Sequence, residues 1–163
     1  MLKRSHALTA LILVLAAAPL PAPAAARTWE AIDALRSRLE RAGVDVRQEN
    51  CRRRNLMGLY HPRSDTIVIC RVHASPEDVW DTLAHEAAHR MQQCAGGSIT
   101  HASHHRHMAR ALARHSPADL RSLRAYPRSQ HLAELEARYT AKLTSEQVLQ
   151  LFDRYCGPTQ TDL

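Results

Sequence analysis

The residues best suited to chemistry form the pattern His85-Glu86-Ala87-Ala88-His89. Helical residues four positions apart lie on one face, one turn apart, so both imidazoles can bind a single Zn²⁺ ion at about 2.0–2.1 Å. Glu86 is rotated by about 100° from His85, which lets it reach a water beside the metal without becoming a ligand. The spacing therefore predicts a zinc site formed by His85 and His89, with Glu86 as the general base.

A catalytic zinc usually takes three protein ligands and keeps a fourth position open. One known continuation of this motif needs Gly and His where this chain has Gln92 and Ala95. Glu134 and Glu136, on a predicted helix further along the chain, are the remaining candidates for the third ligand. They lie about 200° apart around a helix, so the face that the helix presents decides between them.

The two motifs together resemble those of the gluzincin metallopeptidases, in which a glutamate on a downstream helix completes the zinc site. The resemblance implies that His85, His89 and Glu134 bind Zn²⁺ and that Glu86 is the general base, with Glu136 as the alternative third ligand. Many gluzincins carry an aspartate four residues after the ligand glutamate. This chain has Arg138 there, so the usual support of a histidine ligand is missing.

Two further features gain a role from the same resemblance. Tyr126 is a candidate for stabilising the oxyanion of the reaction, although a Tyr-Pro pair that ends a helix with a half-buried ring is the favoured interpretation. The strand 66–70 is a candidate for the sheet edge along which an extended substrate would lie. Its apolar residues 67–69 also suit an ordinary core strand.

Four histidines stand close together after the zinc motif, at His101, His104, His105 and His107. Neither an acidic residue nor a cysteine accompanies them, which favours a polar face that binds metal loosely over a second built site. Such a face would recruit metal or respond to pH.

The N-terminal segment has the layout of a secretory signal peptide. It contains Lys3 and Arg4, an apolar run over 7–18, three prolines and the small residues 24–26. We therefore expect cleavage before Arg27, which reduces the formal charge of +6 by two. The apolar run is short for a membrane span, so no stable membrane insertion is expected after cleavage. The expected location is periplasmic or extracellular.

Four cysteines lie in the predicted mature chain, and an even number in an exported protein predicts two disulfides. We favour Cys51–Cys70 and Cys94–Cys156 among the three pairings. A zinc-thiolate site would need closely spaced cysteine pairs, which the chain lacks.

The hydrophobic pattern predicts one α+β domain over 27–163, which is zincin-like by the resemblance. A small antiparallel sheet precedes the zinc-binding helix, and the C-terminal part is mainly helical. The expected strands are 44–47 and a hairpin over 56–71. The expected helices are 29–42, 75–94, a helix or loop over 101–115, a short helix opened by Ser116-Pro117, and 129–143 and 145–156.

These observations lead to one expected function and one alternative. The resemblance implies an exported zinc metallopeptidase that acts on a peptide or protein substrate, with Glu86 taking a proton from a zinc-activated water. The alternative is a catalytically inactive zinc-binding scaffold of the cell envelope. A nucleic-acid partner is not expected, since Arg52-Arg53-Arg54 is a short basic run without aromatic residues beside it.

Overall fold

The computed structural model of the protein describes residues 24–157, which form six α-helices and a three-stranded sheet. The strands are β1 Asp45–Glu49, β2 Gly58–His61 and β3 Thr66–Cys70. The helices are α1 Ala24–Arg41, α2 Pro76–Ala95, α3 Ala102–His115, α4 Pro117–Ser122, α5 His131–Ala141 and α6 Ser145–Cys156. The predicted α+β class is confirmed, and the histidine-rich segment is a helix.

Residues 1–23 lie outside the described part of the chain, so the signal peptide stays a prediction. Within the described residues, no helix combines the length and the apolar character needed to cross a membrane.

The sheet is mixed, which corrects the prediction of an antiparallel sheet. β2 and β3 form the predicted antiparallel hairpin, with Tyr60 opposite Ile67. β1, however, pairs in parallel with β3, so the strand order is β1-β3-β2. The chain passes from the end of β1 through a loop to the far side of the sheet before the hairpin begins.

The strand order also corrects the predicted substrate edge. β3 pairs on both sides, so its main-chain groups are already used in the sheet and cannot bind a substrate strand. β3 is the core strand of the sheet, and Ile67 and Ile69 are buried. The free edges within the described residues belong to β1 and β2.

The helix α2 begins and ends where its sequence requires. The Ser75 hydroxyl accepts a hydrogen bond from the Asp78 N–H at 3.2 Å, and Pro76 occupies the first turn. Gly96 ends the helix with φ of 70°, a left-handed conformation that glycine adopts without strain. The predicted and observed helices agree to within one residue at each end.

The main core lies between the sheet and helices α1, α2, α5 and α6. Its fully buried side chains include Leu35 of α1, Ile67 of β3, Met91 of α2 and Phe152 of α6. The inner face of α2 there carries Ala84, Ala87 and Ala88, which let the neighbouring elements approach closely. A smaller cluster of Met108, Leu112 and Leu135 attaches α3 to α5.

Two disulfides join Cys51 to Cys70 and Cys94 to Cys156, as predicted. The first connects the chain just after β1 to the end of β3, which are adjacent because the two strands run parallel. The second connects the last turn of α2 to the last residue of α6. It therefore fixes the C-terminal helix against the helix that carries the histidine motif.

Replacing both Cys94 and Cys156 with serine should lower the free energy of unfolding by about 4 kcal/mol on the chain-entropy model. The bond closes a loop of 62 residues, against 19 for Cys51–Cys70, and a longer loop restricts the unfolded chain more. Urea unfolding of the metal-free protein measures the change, and the variant without the shorter bond should lose about 3 kcal/mol. Unchanged stability after loss of the longer bond would contradict this account.

Candidate metal centre

Three potential metal ligands converge from two helices. His85 and His89 project from adjacent turns of α2, and Glu134 faces them from the first turn of α5. Both histidines are half-buried and Glu134 is buried. Within the described residues, these three are the only group of at least three His, Cys, Asp or Glu side chains close enough to hold one metal ion.

The distances within this group suit a tetrahedral metal ion. The two Nε2 atoms of His85 and His89 are 3.2 Å apart. Glu134 Oε2 lies 3.5 Å from His85 Nε2, and Glu134 Oε1 lies 3.3 Å from His89 Nε2. Ligands at about 2.0–2.1 Å from a tetrahedral zinc are separated by about 3.3 Å from one another. The two imidazole nitrogens and the Glu134 carboxylate thus stand close to the separations that zinc requires.

The hydrogen bonds of Gln92 fix the orientation of His89. The Gln92 amide nitrogen donates to the Ala133 carbonyl at 2.9 Å and to Glu136 at 3.0 Å, so its amide oxygen faces His89 Nδ1, at 2.9 Å. His89 therefore donates from Nδ1, and in the neutral imidazole Nε2 presents a lone pair to Glu134. Support of this kind orients a metal ligand and increases its basicity.

The lone pairs that meet at this point favour a cation between them. Glu134 Oε2 is buried and has no hydrogen-bond partner among the described residues. His85 Nε2 and the Arg138 guanidinium each lie 3.5 Å from this oxygen, too far for a hydrogen bond. A buried carboxylate oxygen without a hydrogen bond is costly, and a metal ion bound to it would remove that cost. The donor set, two imidazoles and one carboxylate, is one that zinc accepts.

The pKa values of His89 and Glu134 both shift in the direction that favours positive charge at this point. Burial opposes the protonation of His89, but hydrogen bonds to Glu134 and Gln92 and the charge of Glu86 outweigh it and raise the His89 pKa. Burial also opposes the ionisation of Glu134, yet its bonds to His85 and His89 lower its pKa to about 2. Protons and metal ions therefore compete for the histidine nitrogens.

Glu136 points away from this centre and is fully buried. Its carboxylate accepts hydrogen bonds from the Ser98 and Thr100 hydroxyls, from the Ile99 and Thr100 N–H groups, and from Gln92. These donors stabilise the ionised carboxylate of Glu136. The same hydrogen bonds attach the loop after α2 to α5. Of the two glutamates between which the sequence left the choice open, only Glu134 faces the histidines.

Glu86 lies beside the histidines, with 6% of its surface exposed. Burial raises its pKa, against the opposing charges of His85 and His89. β2 passes close above it, because Gly58 has no side chain. A Cβ at Gly58 would stand 2.5 Å from Thr82 Cγ2 and 3.3 Å from Glu86 Cγ. The carboxylate is therefore enclosed by α2 and the edge strand.

A cleft of about 640 Å³ opens onto this centre. His85, Glu86 and Tyr126 contribute to its lining, as does the loop 55–58 that leads into β2. The predicted candidate Tyr126 is thus brought to the same cleft as the motif. Burial raises the Tyr126 pKa, and the charges of Glu134 and Glu86 add to that effect.

Arg138 occupies the position where the resemblance expects an aspartate. Its guanidinium lies 3.5 Å from Glu134 Oε2, 3.8 Å from Asp119 and 5.6 Å from the centre of the Tyr126 ring. It balances two carboxylates at the cleft and packs against the tyrosine. Gln92 supplies the support to a histidine ligand that an aspartate would otherwise give.

The histidines after the motif are dispersed rather than joined in a second centre. His101 caps α3, accepting from the Ser103 N–H at 3.3 Å, and His107 lies edge-on to Tyr139. His105 Nε2 lies 3.1 Å from the Thr100 hydroxyl and 3.5 Å from Glu136. Loose metal binding by the exposed members of this set stays a prediction.

In comparisons with known proteins, no family model matches the chain, and no curated protein or solved structure is significantly similar to it. The assignment of the centre therefore depends on its own geometry.

The zinc affinities of two variants should show which of the two glutamates, Glu134 or Glu136, is the ligand. Glu134→Gln should lower zinc affinity by more than about 100-fold, because it removes a direct ligand, whereas Glu136→Gln should cost about tenfold or less, because it acts through Gln92. Titration against a chromophoric chelator measures both affinities. The opposite ranking would make Glu136 the ligand.

Lowering the pH should reduce the free energy of unfolding of the parent more than that of the Glu136→Gln variant. Burial alone would raise the Glu136 pKa, but its hydrogen bonds from Ser98, Thr100 and Gln92 outweigh this and hold it below 4.5. The ionised carboxylate therefore stabilises the fold above that pH, and the contribution is lost as the pH falls through the lowered pKa.

Urea unfolding of both metal-free proteins between about pH 6 and about pH 3 tests this dependence. The gap in unfolding free energy between parent and variant should narrow as the pH falls. A gap that stays constant or widens would mean that Glu136 contributes no ionised-state stability.

Proposed function

We propose that the protein is a zinc-dependent peptidase whose centre is formed by His85, His89 and Glu134. The observation that carries the proposal is the convergence of two imidazole nitrogens and one carboxylate at about 3.2–3.5 Å, beside the buried Glu86, with His85 and Glu86 lining a cleft. When bound, Zn²⁺ supplies Lewis acidity, which polarises a carbonyl group and makes water a nucleophile at neutral pH.

Glu86 is the proton acceptor in this proposal. It lies next to His85 in the helix but is not among the three converging ligands. Its buried position raises its pKa, which suits a group that accepts a proton from the attacking water and then donates it to the leaving amine. The enclosure by β2 and Thr82 keeps the carboxylate in one place during both transfers.

The edge of β2 is the place where an extended peptide would bind. β2 is an outer strand, and the residues leading into it line the cleft together with His85 and Glu86. A peptide that pairs with this edge through main-chain hydrogen bonds would run beside the centre. Pairing through the main chain accepts many side-chain sequences, so it supports a peptide substrate without specifying one.

Tyr126 would assist the same reaction in this proposal. Its side chain lines the cleft together with His85 and Glu86, and Arg138 packs against its ring. A phenol that stays protonated, as its raised pKa ensures, can donate a hydrogen bond to the oxyanion formed during hydrolysis. The disulfides are consistent with the proposed export to an oxidising compartment.

Glu86→Gln tests the mechanism, because it keeps the shape of the side chain but removes the proton acceptor. Hydrolysis of a quenched fluorescent peptide library should fall by about 10²-fold or more, while zinc content stays at the parental level. As a matched control, His85→Ala should lose zinc as well as activity.

Equal hydrolysis by Glu86→Gln and the parent would remove Glu86 from the mechanism. A parent that is fully loaded with zinc and inactive against the library would favour the zinc-binding scaffold instead.

A further inference from the structure

The segment 101–128 has a strong excess of positive charge. Between Glu86 and Glu134 the sequence contains a single acidic residue, Asp119. Residues 101–128 carry six arginines, and all six are exposed: Arg106, Arg110, Arg114, Arg121, Arg124 and Arg128.

None of these six arginines has an ionic partner within the described residues. Some arginines elsewhere do, since Arg36 pairs with Glu40 and Arg38 with Asp153, at 2.8 and 3.0 Å, but the exposed run Arg52–Arg54 is also unpaired and differs in having no regular helical spacing. The lone acid of the segment is already engaged, since Asp119 lies 3.1 Å from the Lys142 ammonium. The positive charges of the segment are thus left uncompensated by the protein itself.

Three of the six form a row along one face of α3. Arg106, Arg110 and Arg114 are each four residues apart on α3, which places them on one face over about 12 Å. Met108 and Leu112 on the opposite face are buried in the cluster that joins α3 to α5. The row is therefore held on a fixed helix whose orientation is set by its apolar side.

We propose that this row, with Arg121, Arg124 and Arg128 of the segment that follows it in the chain, binds a linear polyanion with closely spaced sulfate or phosphate groups. A row of guanidinium groups at helical spacing complements a chain of regularly repeated anions. Binding through charge alone needs no particular sequence or sugar in the polymer. The inference does not depend on the proposed peptidase activity.

Two other acidic partners fit the segment less well. A membrane surface would favour apolar side chains among the arginines, but none of the large exposed hydrophobic residues lies within 101–128. Single-stranded nucleic acid would favour exposed aromatic residues for base stacking, and Tyr126 is half-buried in the cleft wall.

The arginine-rich segment lies next to the cleft. The segment that carries Arg121 and Arg124 on its exposed side also contributes Asp119, Ser122 and Tyr126 to the cleft. A polymer bound along the arginines would lie next to the cleft without filling it. The protein would thereby be retained on a polyanionic matrix while its centre stays open.

The test compares two triple variants of equal net charge. One replaces Arg106, Arg110 and Arg114 with glutamine, and the matched control replaces the run Arg52–Arg54, which is also exposed. Binding to dextran sulfate is measured by titration at several salt concentrations, with uncharged dextran as a blank. Circular dichroism and zinc content confirm that both variants keep the fold and the centre.

The helix variant should bind dextran sulfate at least tenfold more weakly than the parent, and the slope of log K against log salt should fall by about 2. The control should stay within about threefold of the parent. Equal losses in both variants would show that net charge alone binds the polymer, and would overturn the proposal. Tighter binding to vesicles of equal parts phosphatidylglycerol and phosphatidylethanolamine would assign the face to a membrane instead.

Discussion

The burial of two carboxylates on one helix is the constraint on which the rest of the structure depends. Glu134 and Glu136 of α5 are both buried, and a buried negative charge is costly unless donors or cations compensate it. Each is compensated differently. Glu136 is surrounded by hydrogen-bond donors from the loop after α2, whereas Glu134 faces two imidazoles and one guanidinium.

Gln92 connects the two compensated charges. It donates to Glu136 and accepts from His89, so the acid that fixes the loop also fixes the tautomer of a predicted ligand. Arg138 balances Glu134 from the other side and leaves the helix without an aspartate at that position. The orientation of His89 is therefore set within α2 itself, by a residue one turn after the motif.

Much of the architecture followed from local sequence signals. Ser75, Pro76 and Gly96 delimit α2 because capping is decided by a few residues, and the facing of His85 and His89 follows from helix periodicity. The parallel pairing of β1 was missed, because strand propensity does not specify a partner. The predicted disulfide indicated that pairing. Cys51 comes just after β1 and Cys70 is the last residue of β3, and parallel strands place their ends together.

The choice between Glu134 and Glu136 could not be made from periodicity, because α5 is buried on both sides and each face has its own partners. The roles of Ser98 and Thr100 were also beyond sequence reasoning. Their loop carries no motif, and only the packing of α5 brings Glu136 within reach of their hydroxyls. Gln92 gave a weak signal, as an amide three residues after His89 on the same helix.

The short length of β2 has a consequence for solubility. An unpaired strand edge that accepts a peptide also offers the same hydrogen bonds to the edge of another copy, and such edges promote aggregation. β2 has only four residues and carries the partly exposed Leu59. A strand this short forms few hydrogen bonds, so pairing with another strand edge contributes little free energy. A partner that binds here for long needs further contacts in the cleft. The sheet edge of a second copy would not make those contacts.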